Sequence, residues 1–379
     1  MALLFLILLS CSSVQASALE TPPKMLGQKM IYDPVGKNVI LFGGSYYSGS
    51  YTFYGDTWSF NVENATWTKV ATTGSPGGRF NAGMAFDSDS RKIVLFGGFS
   101  ASGRVGDTYT YDIASKTWRN AYPSGGPSMR SDASMAYDVE AKKVVLFGGY
   151  GRDEAKCDDT WVYDVASNTW TEMSPPTHPQ ARYGGVMVYD SYTGKTLLFG
   201  GHMVQTSPPY NSLGYENEVW AYDYGADEWE KLATQNKPPA RYWHDLAYDP
   251  VGNRMILFGG SQGGGNDLGD TWVYSCREAK WTQVTSTVSP SARSQPSMCF
   301  DTQTKKTLMF GGADFIVSAT FNYYNDVWGM GENNQWVELV LGEPTVPTPK
   351  NTGVPGFQST IVAAGIAVAV AVMLLQRRR

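Results

Sequence analysis

The sequence predicts an all-β fold built from six similar four-stranded sheets, and two repeated features predict it. A double glycine recurs six times, at intervals of roughly fifty residues: Gly43-Gly44, Gly97-Gly98, Gly148-Gly149, Gly200-Gly201, Gly259-Gly260 and Gly311-Gly312. Two aromatic residues follow each double glycine, and the second of them, always Trp, comes eight or nine residues after the first. Repetition at such a period is typical of propellers and other repeat architectures.

Each repeat contains four strand-like segments. In the third repeat the first ends at Tyr137-Asp138, the second runs into Gly148-Gly149, the third starts at Asp159-Thr160-Trp161 and the fourth carries Trp170. Short runs of β-branched and aromatic residues between Gly, Pro and Asp are typical of strands. A single four-stranded sheet cannot bury both of its faces. Six of them packed radially can, so we expect a six-bladed β-propeller.

These repeats resemble kelch-repeat β-propellers, of which the central domain of galactose oxidase is an example. The resemblance covers most of the chain, 27–341, and implies blades at 27–72, 80–122, 131–173, 183–233, 242–285 and 294–341. Departures from the pattern are Tyr109 for the first Trp, Glu218 for Asp, and Ser275-Cys276 for Tyr-Asp. Each blade is complete within its own range, so no exchanged strand is expected. The fold by itself does not define a function.

The amino-terminal segment is predicted to be a secretory signal peptide. Residues 2–9 are almost wholly apolar, and Ala16-Ser17-Ala18 fits a small-x-small cleavage site, which gives a signal peptide of residues 1–18. The segment lacks a basic start. A weak lipoprotein signal at Leu9-Ser10-Cys11 is the alternative.

The carboxy-terminal segment is predicted to anchor the chain in a membrane. A Pro/Thr spacer, 342–354, leads to an uncharged apolar stretch, 357–375, that is long enough to span a bilayer as a helix. The three arginines at 377–379 are expected to stay in the cytoplasm, which places the propeller outside.

This tail resembles the archaeal PGF-CTERM sorting signal, with Pro355, Gly356 and Phe357 as its tripeptide and 355–379 as its extent. The resemblance implies an archaeosortase-type processing enzyme, which removes the tail and joins the new terminus to a membrane lipid anchor. A permanent transmembrane helix is the alternative. The terminal arginines argue against a GPI signal. In either case we expect the protein on the extracellular face of the cell membrane, anchored by its carboxy terminus.

Composition excludes a nucleic-acid partner and a disulfide framework. The net charge is −5, from 35 acidic and 30 basic residues, without the basic stripe that nucleic-acid binding needs. Removal of Cys11 with the signal peptide leaves an odd number of cysteines: Cys157, Cys276 and Cys299. Asn64-Ala65-Thr66 is a glycosylation sequon, so Asn64 is a candidate glycosylation site.

The loops that enter the first strand and leave the second are predicted to carry the ligand-binding residues. Antiparallel strand order places these loops on one face, and they vary in length and are rich in aromatic residues. Tyrosine offers a rigid apolar ring with a polar tip, which suits a protein or a glycan. The candidate residues are Tyr46, Tyr47, Tyr54, Arg152, His202, Tyr210, Tyr215, His244, Phe315, Tyr323 and Tyr324. The alternative is that these side chains only pack over the blades and order the loops.

Five recurring arginines are predicted to belong to the scaffold. They precede the first strand of a blade and are expected to pair with recurring aspartates; the alternative is a cationic ring that binds an anion. The arginines are Arg79, Arg130, Arg182, Arg241 and Arg293, with Met25 in the sixth place, and the aspartates are Asp56, Asp107, Asp159, Asp270 and Asp326.

No metal or cofactor is expected. His178, His202 and His244 follow no recognised ligand spacing. The copper ligands of galactose oxidase find no matching pattern, and no nucleophile motif is present. We therefore expect a non-enzymatic protein- or glycan-binding, adhesive module of the archaeal envelope. A carbohydrate-active enzyme and a structural envelope component are the alternatives.

Overall fold

The computed structural model describes residues 20–152, 155–203, 214–315 and 320–341. These residues form β-strands and no α-helix, so the predicted all-β fold with four-stranded antiparallel sheets is confirmed. The predicted signal peptide (1–18), spacer (342–354) and tail with its helix (355–379) lie outside the described residues. Within the described ranges, no helix has the length and apolar character needed to cross a membrane.

The strands follow the same order in each of the six repeats. The first two blades contain β1 (Lys29–Asp33), β2 (Asn38–Phe42), β3 (Ser45–Tyr47), β4 (Tyr51–Phe53), β5 (Thr57–Asn61), β6 (Thr66–Val70), β7 (Arg79–Phe80), β8 (Gly83–Asp87), β9 (Lys92–Phe96), β10 (Phe99–Ser100), β11 (Gly103–Arg104), β12 (Thr108–Asp112) and β13 (Thr117–Asn120). The next two contain β14 (Arg130–Ser131), β15 (Ser134–Asp138), β16 (Lys143–Phe147), β17 (Tyr150–Gly151), β18 (Thr160–Asp164), β19 (Thr169–Met173), β20 (Arg182–Tyr183), β21 (Val186–Asp190), β22 (Lys195–Phe199), β23 (His202–Met203), β24 (Val219–Asp223) and β25 (Glu228–Lys231). The last two contain β26 (Asp245–Asp249), β27 (Arg254–Phe258), β28 (Thr271–Ser275), β29 (Lys280–Val284), β30 (Ser297–Asp301), β31 (Lys306–Phe310), β32 (Ala313–Phe315), β33 (Phe321–Tyr323), β34 (Val327–Met330) and β35 (Trp336–Glu338).

Each blade is a four-stranded sheet made from consecutive sequence. The sheets run β1-β2-β5-β6, β8-β9-β12-β13, β15-β16-β18-β19, β21-β22-β24-β25, β26-β27-β28-β29 and β30-β31-β34-β35. The first strands of the six blades line a central channel with a cavity of about 350 Å³. Each first strand ends in an aspartate that caps the following turn. Asp138 Oδ1, for example, accepts hydrogen bonds from the backbone N–H groups of Glu140 (3.0 Å) and Ala141 (2.9 Å).

The hydrophobic core consists of six clusters, each shared by two neighbouring blades. The cluster between the first two blades, for example, joins Ile40 and Phe42 to Leu95, Tyr111 and Trp118. Because each sheet has an apolar neighbour on both sides, both of its faces are buried. This arrangement explains why the second strands, such as Val144–Phe147, are fully apolar instead of alternating.

The second Trp of each repeat ties its blade to the preceding one. Trp118 Nε1 donates to Thr57 Oγ1 (2.9 Å), and equivalent bonds of 2.8–3.0 Å join Trp170 to Thr108, Trp229 to Thr160 and Trp336 to Thr271. The two remaining blades have valine where the others have threonine, Val219 and Val327. The facing indole N–H groups, of Trp281 and Trp67, are buried and have no hydrogen-bond partner among the described residues.

A closed ring of backbone hydrogen bonds surrounds the mouth of the channel. One residue of each blade donates its N–H to the equivalent C=O of the preceding blade, at 2.7–3.4 Å. All six residues have positive φ, between 53° and 69°: Gly27, Asn81, Asp132, Gly184, Trp243 and Gln295. Four of the six are residues other than glycine in the left-handed region, and their strain is held in place by the ring.

The last blade meets the first without an exchanged strand, as the repeat pattern predicted. Gln28 Nε2 donates to the Phe310 carbonyl (2.8 Å), and the backbone N–H of Met30 donates to Ser297 Oγ (2.8 Å). The shared cluster adds Met25 and Trp67 to the apolar residues of the last blade. Closure of the ring therefore depends on the short segment 25–30.

The pairing of recurring arginines with aspartates is confirmed in four blades: Arg79–Asp107, Arg130–Asp159, Arg241–Asp270 and Arg293–Asp326. Each of these arginines is buried and also donates to the first carbonyl of a double glycine, as Arg241 Nη1 does to Gly259 (3.0 Å). In the first blade Met25 replaces the arginine, and Asp56 instead pairs with Lys69 at 2.9 Å. The fourth blade also departs from the pattern.

We predict that the hydrogen bond between blades contributes to stability wherever threonine is present. Thr108→Val leaves the Trp170 indole N–H buried without an acceptor, so the free energy of unfolding is expected to fall by about 1–3 kcal/mol. Val219→Thr supplies an acceptor for Trp281, and an increase of up to about 1 kcal/mol is expected. Urea unfolding monitored by tryptophan fluorescence measures both changes. A rise in the free energy of unfolding of Thr108→Val together with a fall in that of Val219→Thr would contradict the assignment.

Candidate ligand-binding face

Aromatic side chains form a belt around the channel mouth on the face that carries the double-glycine loops. Six of these residues come from two repeat positions, the one after the recurring arginine and the one after the double glycine. The two positions pair with each other, as Phe80 does with Phe99 and Tyr183 with His202. The other residues come from the adjoining hairpins and loops. We call the following set the aromatic belt: Tyr46, Tyr47, Tyr51, Phe53, Phe80, Phe99, Tyr150, Tyr183, His202, Tyr215, Tyr242, Trp243, Phe315, Phe321 and Tyr323.

The first part of the belt is a group of nearly parallel rings over the first two blades. The β3–β4 hairpin brings Tyr51 to 5.7 Å from Phe80, with 16° between the ring planes, and Phe53 to 6.2 Å from Phe99, with 29°. Tyr51 is 51% exposed. This group presents a flat apolar surface to solvent.

A cation connects this group to the next blade. The Arg104 guanidinium lies 5.6 Å from the centre of the Phe99 ring and 4.2 Å from that of Tyr150, within the range of cation–π attraction. Arg104 Nε is buried and has no hydrogen-bond partner among the described residues.

The second part of the belt lies over the third, fourth and fifth blades. Tyr215 stacks on Tyr242 at 5.0 Å with 6° between the planes, and both rings contact His202. His202 Nδ1 is 2.8 Å from the hydroxyl of Tyr183. Burial, with a smaller contribution from the Lys156 ammonium, lowers the pKa of His202 to about 4. The His202 imidazole is therefore neutral at pH 7 and adds no charge to this part of the belt.

The third part closes the belt between the last and first blades. Phe315 and Phe321 form an edge-to-face pair at 5.3 Å, and Tyr46 and Tyr323 lie 4.5 Å apart. The Tyr323 hydroxyl accepts a hydrogen bond from the backbone N–H of Tyr47 (3.0 Å), so the two loops hold each other.

A polar plug fills the channel mouth at the centre of the belt. Asp132 Oδ1 accepts from Asn81 Nδ2 (2.6 Å) and from Trp243 Nε1 (2.8 Å), and Ser131 Oγ donates to Oδ2 (2.7 Å). Burial raises the pKa of Asp132. Trp243 reaches Asp132 by crossing Gly184, where an added Cβ would lie only 2.8 Å from the indole ring. Glycine at this position is therefore required by space as well as by its φ of 66°.

The structure distributes the predicted ligand-binding residues unevenly. Tyr46, Tyr47, His202, Tyr215, Phe315 and Tyr323 belong to the belt, although Tyr323 is itself buried. Arg152 is exposed, Tyr54 packs against the core, and Tyr324 lies under the Arg293 guanidinium at 3.8 Å. His244 is 3% exposed and packs edge-on against Phe199, so it is not accessible to a ligand. Tyr210 lies outside the described residues.

Sequence reasoning missed about half of the belt. Phe80, Tyr183 and Tyr242 directly follow a recurring arginine, and Phe99 and Tyr150 directly follow a double glycine. These positions were visible in the repeat alignment, but their pairing across the blade entrance was not. Arg104 and Trp243 gave no signal that distinguished them from loop residues.

No metal centre is found among the described residues, since no group of three or more His, Cys, Asp or Glu side chains is placed to hold an ion there. Asn64 is exposed on the turn between β5 and β6, which lies on the face opposite the belt. Its backbone N–H donates to Asn61 Oδ1 (3.1 Å). A glycan at Asn64 would leave the belt uncovered.

Six four-stranded blades around a plugged channel define a β-propeller with one aromatic binding face. The sequence profile of the KLHDC2/KLHL20/DRC7 Kelch-repeats domain matches residues 6–201, 119–239 and 190–365. The chain belongs to this kelch-repeat family, and the predicted kelch propeller is confirmed.

Curated relatives agree with this assignment. Adagio-like protein 3 of Oryza sativa subsp. japonica is 31% identical over 244 residues, which cover 61% of this chain and 37% of the relative. Adagio-like protein 1 of the same organism is 27% identical over 266 residues, 65% of this chain and 41% of the relative. Kelch domain-containing protein 2 of Bos taurus is 25% identical over 337 residues, 79% and 78% of the two chains. The chain thus spans about two fifths (37% and 41%) of the length of the two Adagio-type relatives.

We predict that His202 makes the fold sensitive to acid. Its pKa of about 4 in the folded protein lies below the ordinary value near 6.5, so the unfolded chain takes up a proton first. The stability associated with neutral His202 is therefore complete above about pH 6.5 and is lost as the pH falls towards 4. Urea unfolding at pH 7 and pH 4.5 should show a smaller loss in His202→Asn than in the parent. An NMR titration that gives His202 a pKa near 6.5 would contradict this.

Proposed function

We propose that the protein is a non-enzymatic binding module that captures an extended protein segment on the aromatic belt. The observation that carries the proposal is the concentration of aromatic side chains from all six blades on one face, in three groups around the channel mouth. Tyrosine, Trp and Arg, which are enriched at protein interfaces, are concentrated there on a rigid scaffold. Membership of a kelch-repeat family supports an interaction role for the propeller.

The charges around the belt support a ligand with a defined direction. Arg104, Arg152 and Lys156 lie over the second and third blades, whereas Asp267 and Asp314 lie over the fifth and sixth. Asp267 Oδ2 accepts the backbone N–H of Phe315 (2.8 Å), so it has a fixed position. A segment with an acidic part towards the first side and a basic part towards the second would match both.

Asp132, Asn81 and Trp243 at the channel mouth are bonded to one another and hold the plug together. Asp132 is occupied by three donors and Trp243 by Asp132. A second candidate ligand is a glycan, because the exposed ring of Tyr51, which lies within 16–28° of the planes of Phe53 and Phe80, offers an aromatic surface to a sugar ring.

We also propose that the propeller faces the outside of a cell, as a component of an archaeal envelope held by its carboxy-terminal tail. The proposal is supported by the apolar amino terminus, by the apolar stretch 357–375 followed by Arg377–Arg379, and by the Pro355-Gly356-Phe357 tripeptide. An archaeosortase-type enzyme and a membrane lipid are the partners this requires.

We predict that selected peptides bind the belt. A random peptide display library is panned against the full-length protein in detergent, and the enriched peptides are tested against Tyr51→Ser and Tyr242→Ser. Each variant loses an exposed or half-exposed aromatic contact, and binding is expected to weaken by about tenfold, as for an interface hot spot. Tyr192→Ser, on the opposite face, is the control and should bind like the parent.

Unchanged binding in both belt variants would place the ligand elsewhere. Selection that yields no peptide, combined with glycan-array binding that the same two variants abolish, would instead favour the glycan reading.

We predict that the tail is processed. The intact mass of protein from its native membrane is compared with that of a variant carrying Pro355→Ala, Gly356→Ala and Phe357→Ala. The parent is expected to lack the tail and to carry an added lipid mass, while the variant keeps Arg377–Arg379. A parent mass that retains these arginines would indicate a permanent transmembrane anchor.

A further inference from the structure

In the blades that have both the recurring arginine and Trp as the first aromatic residue, one aspartate accepts hydrogen bonds from both side chains. Asp159 Oδ2 accepts from Arg130 Nη2 (2.8 Å) and from Trp161 Nε1 (2.7 Å). The same pair of bonds is formed by Asp270 with Arg241 and Trp272, and by Asp326 with Arg293 and Trp328, at 2.7–2.9 Å. The arrangement is thus a carboxylate site built into the repeat.

The fourth blade keeps the two donors and lacks the aspartate. Glu218 stands in its place, and its longer side chain turns to Lys231, with Oε1 at 2.9 Å from Nζ. The Glu218 carboxylate still lies near the Trp220 indole N–H, which helps to lower the pKa of that carboxyl. Trp220 Nε1 is nevertheless buried and has no partner within hydrogen-bond distance among the described residues.

Arg182 is correspondingly short of acceptors. It is 2% exposed, and its Nε and Nη1 donate to the carbonyls of Gln180 (2.9 Å) and Gly200 (3.2 Å). Its Nη2 has only the thioether sulfur of Met203, at 3.9 Å, which is a weak acceptor. Burial lowers the pKa of Arg182 because no carboxylate is bonded to it.

Both donors line one cavity. It has a volume of about 330 Å³ and is also lined by His178, Gln180, Met203 and Glu216. This volume is at the lower end of small-molecule sites and suits a short acidic group. The sequence 204–213, which follows Met203, contains no Asp or Glu and so brings no carboxylate of its own.

We propose that this cavity, the blade-four pocket, binds a carboxylate of an external ligand. One carboxylate oxygen accepts hydrogen bonds from Arg182 Nη2 and Trp220 Nε1, as Asp159 Oδ2 does from its own two donors. The ligand supplies the charge that the buried guanidinium lacks, and charge-assisted bonds of this type are the strong ones. The pocket is separate from the aromatic belt and its assignment does not rest on the proposed function.

Two glutamates, Glu216 and Glu218, also line the pocket. Glu218 is neutralised by Lys231. Burial, with a further contribution from the Glu218 charge, raises the pKa of Glu216.

The test follows the indole Nε1 resonance of Trp220 in the full-length protein in detergent, with ¹⁵N-labelled tryptophan and with Trp220→Phe for assignment. Titration with acetate is expected to give a saturable shift of this resonance. Arg182→Met, which copies the natural Met25 of the first blade, is expected to weaken the response by about tenfold or more, the value of a lost charge-assisted bond.

Glu218→Asp is the matched variant. It restores the aspartate of the other blades, so the internal carboxylate is expected to occupy both donors and abolish the acetate response without loss of folding. No saturable shift in the parent, or equal acetate binding in parent and Glu218→Asp, would overturn the proposal. Tyr51→Ser should leave the acetate response unchanged, which separates this result from that of the belt.

Two further probes distinguish the source of the carboxylate. Methyl glucuronide represents an acidic glycan, and N-acetyl-aspartate amide represents an acidic side chain of a protein. Tighter binding of one probe in the parent, lost in Glu218→Asp, assigns the ligand to that source. If acetate binds but neither probe does, the proposal that the pocket binds the carboxylate of a larger ligand is wrong.

Discussion

Burial of both faces of every sheet is the constraint on which the rest of the structure depends. The last four residues of every second strand are buried and almost all apolar, so each blade needs a neighbour on either side, and the six shared clusters supply one. The ring must therefore close. No strand is exchanged between the ends of the chain, so closure depends on the contacts of residues 25–30 with the last blade and on the ring of backbone hydrogen bonds.

The same constraint separates residues that maintain the scaffold from residues that are available for function. The recurring arginines, which the sequence predicts to be scaffold residues, are buried and paired with aspartates in four blades. Departures from the repeat are more informative. Glu218 frees Arg182 and Trp220, while Gly184 opens the path of Trp243 to Asp132. A residue that departs from the repeat removes a hydrogen bond from the scaffold. Such a loss is a reason to test whether the residue has a function.

The aromatic belt arises where two repeat positions meet. The residue after the arginine and the residue after the double glycine are separated by about nineteen positions in sequence but pair at the blade entrance, as in Phe80 with Phe99. Large rings at these positions therefore touch within a blade and then contact the next blade. These belt residues are held in place because they lie beside the first and second strands of the blades and not on long loops alone.

The sequence by itself determined the six repeats and their four-stranded sheets, because each is a local pattern repeated six times and the copies support one another. It also indicated the four Arg–Asp pairs that form. It did not show the additional short strands between the blades, such as the β3–β4 hairpin. It also placed several belt tyrosines on the correct face. Only the tertiary structure decided that His244 is buried, that Trp243 crosses Gly184 to Asp132, and that Glu218 turns to Lys231. These outcomes depend on distances and rotamers of side chains that are far apart in the sequence or on neighbouring strands, and a one-dimensional pattern does not contain them.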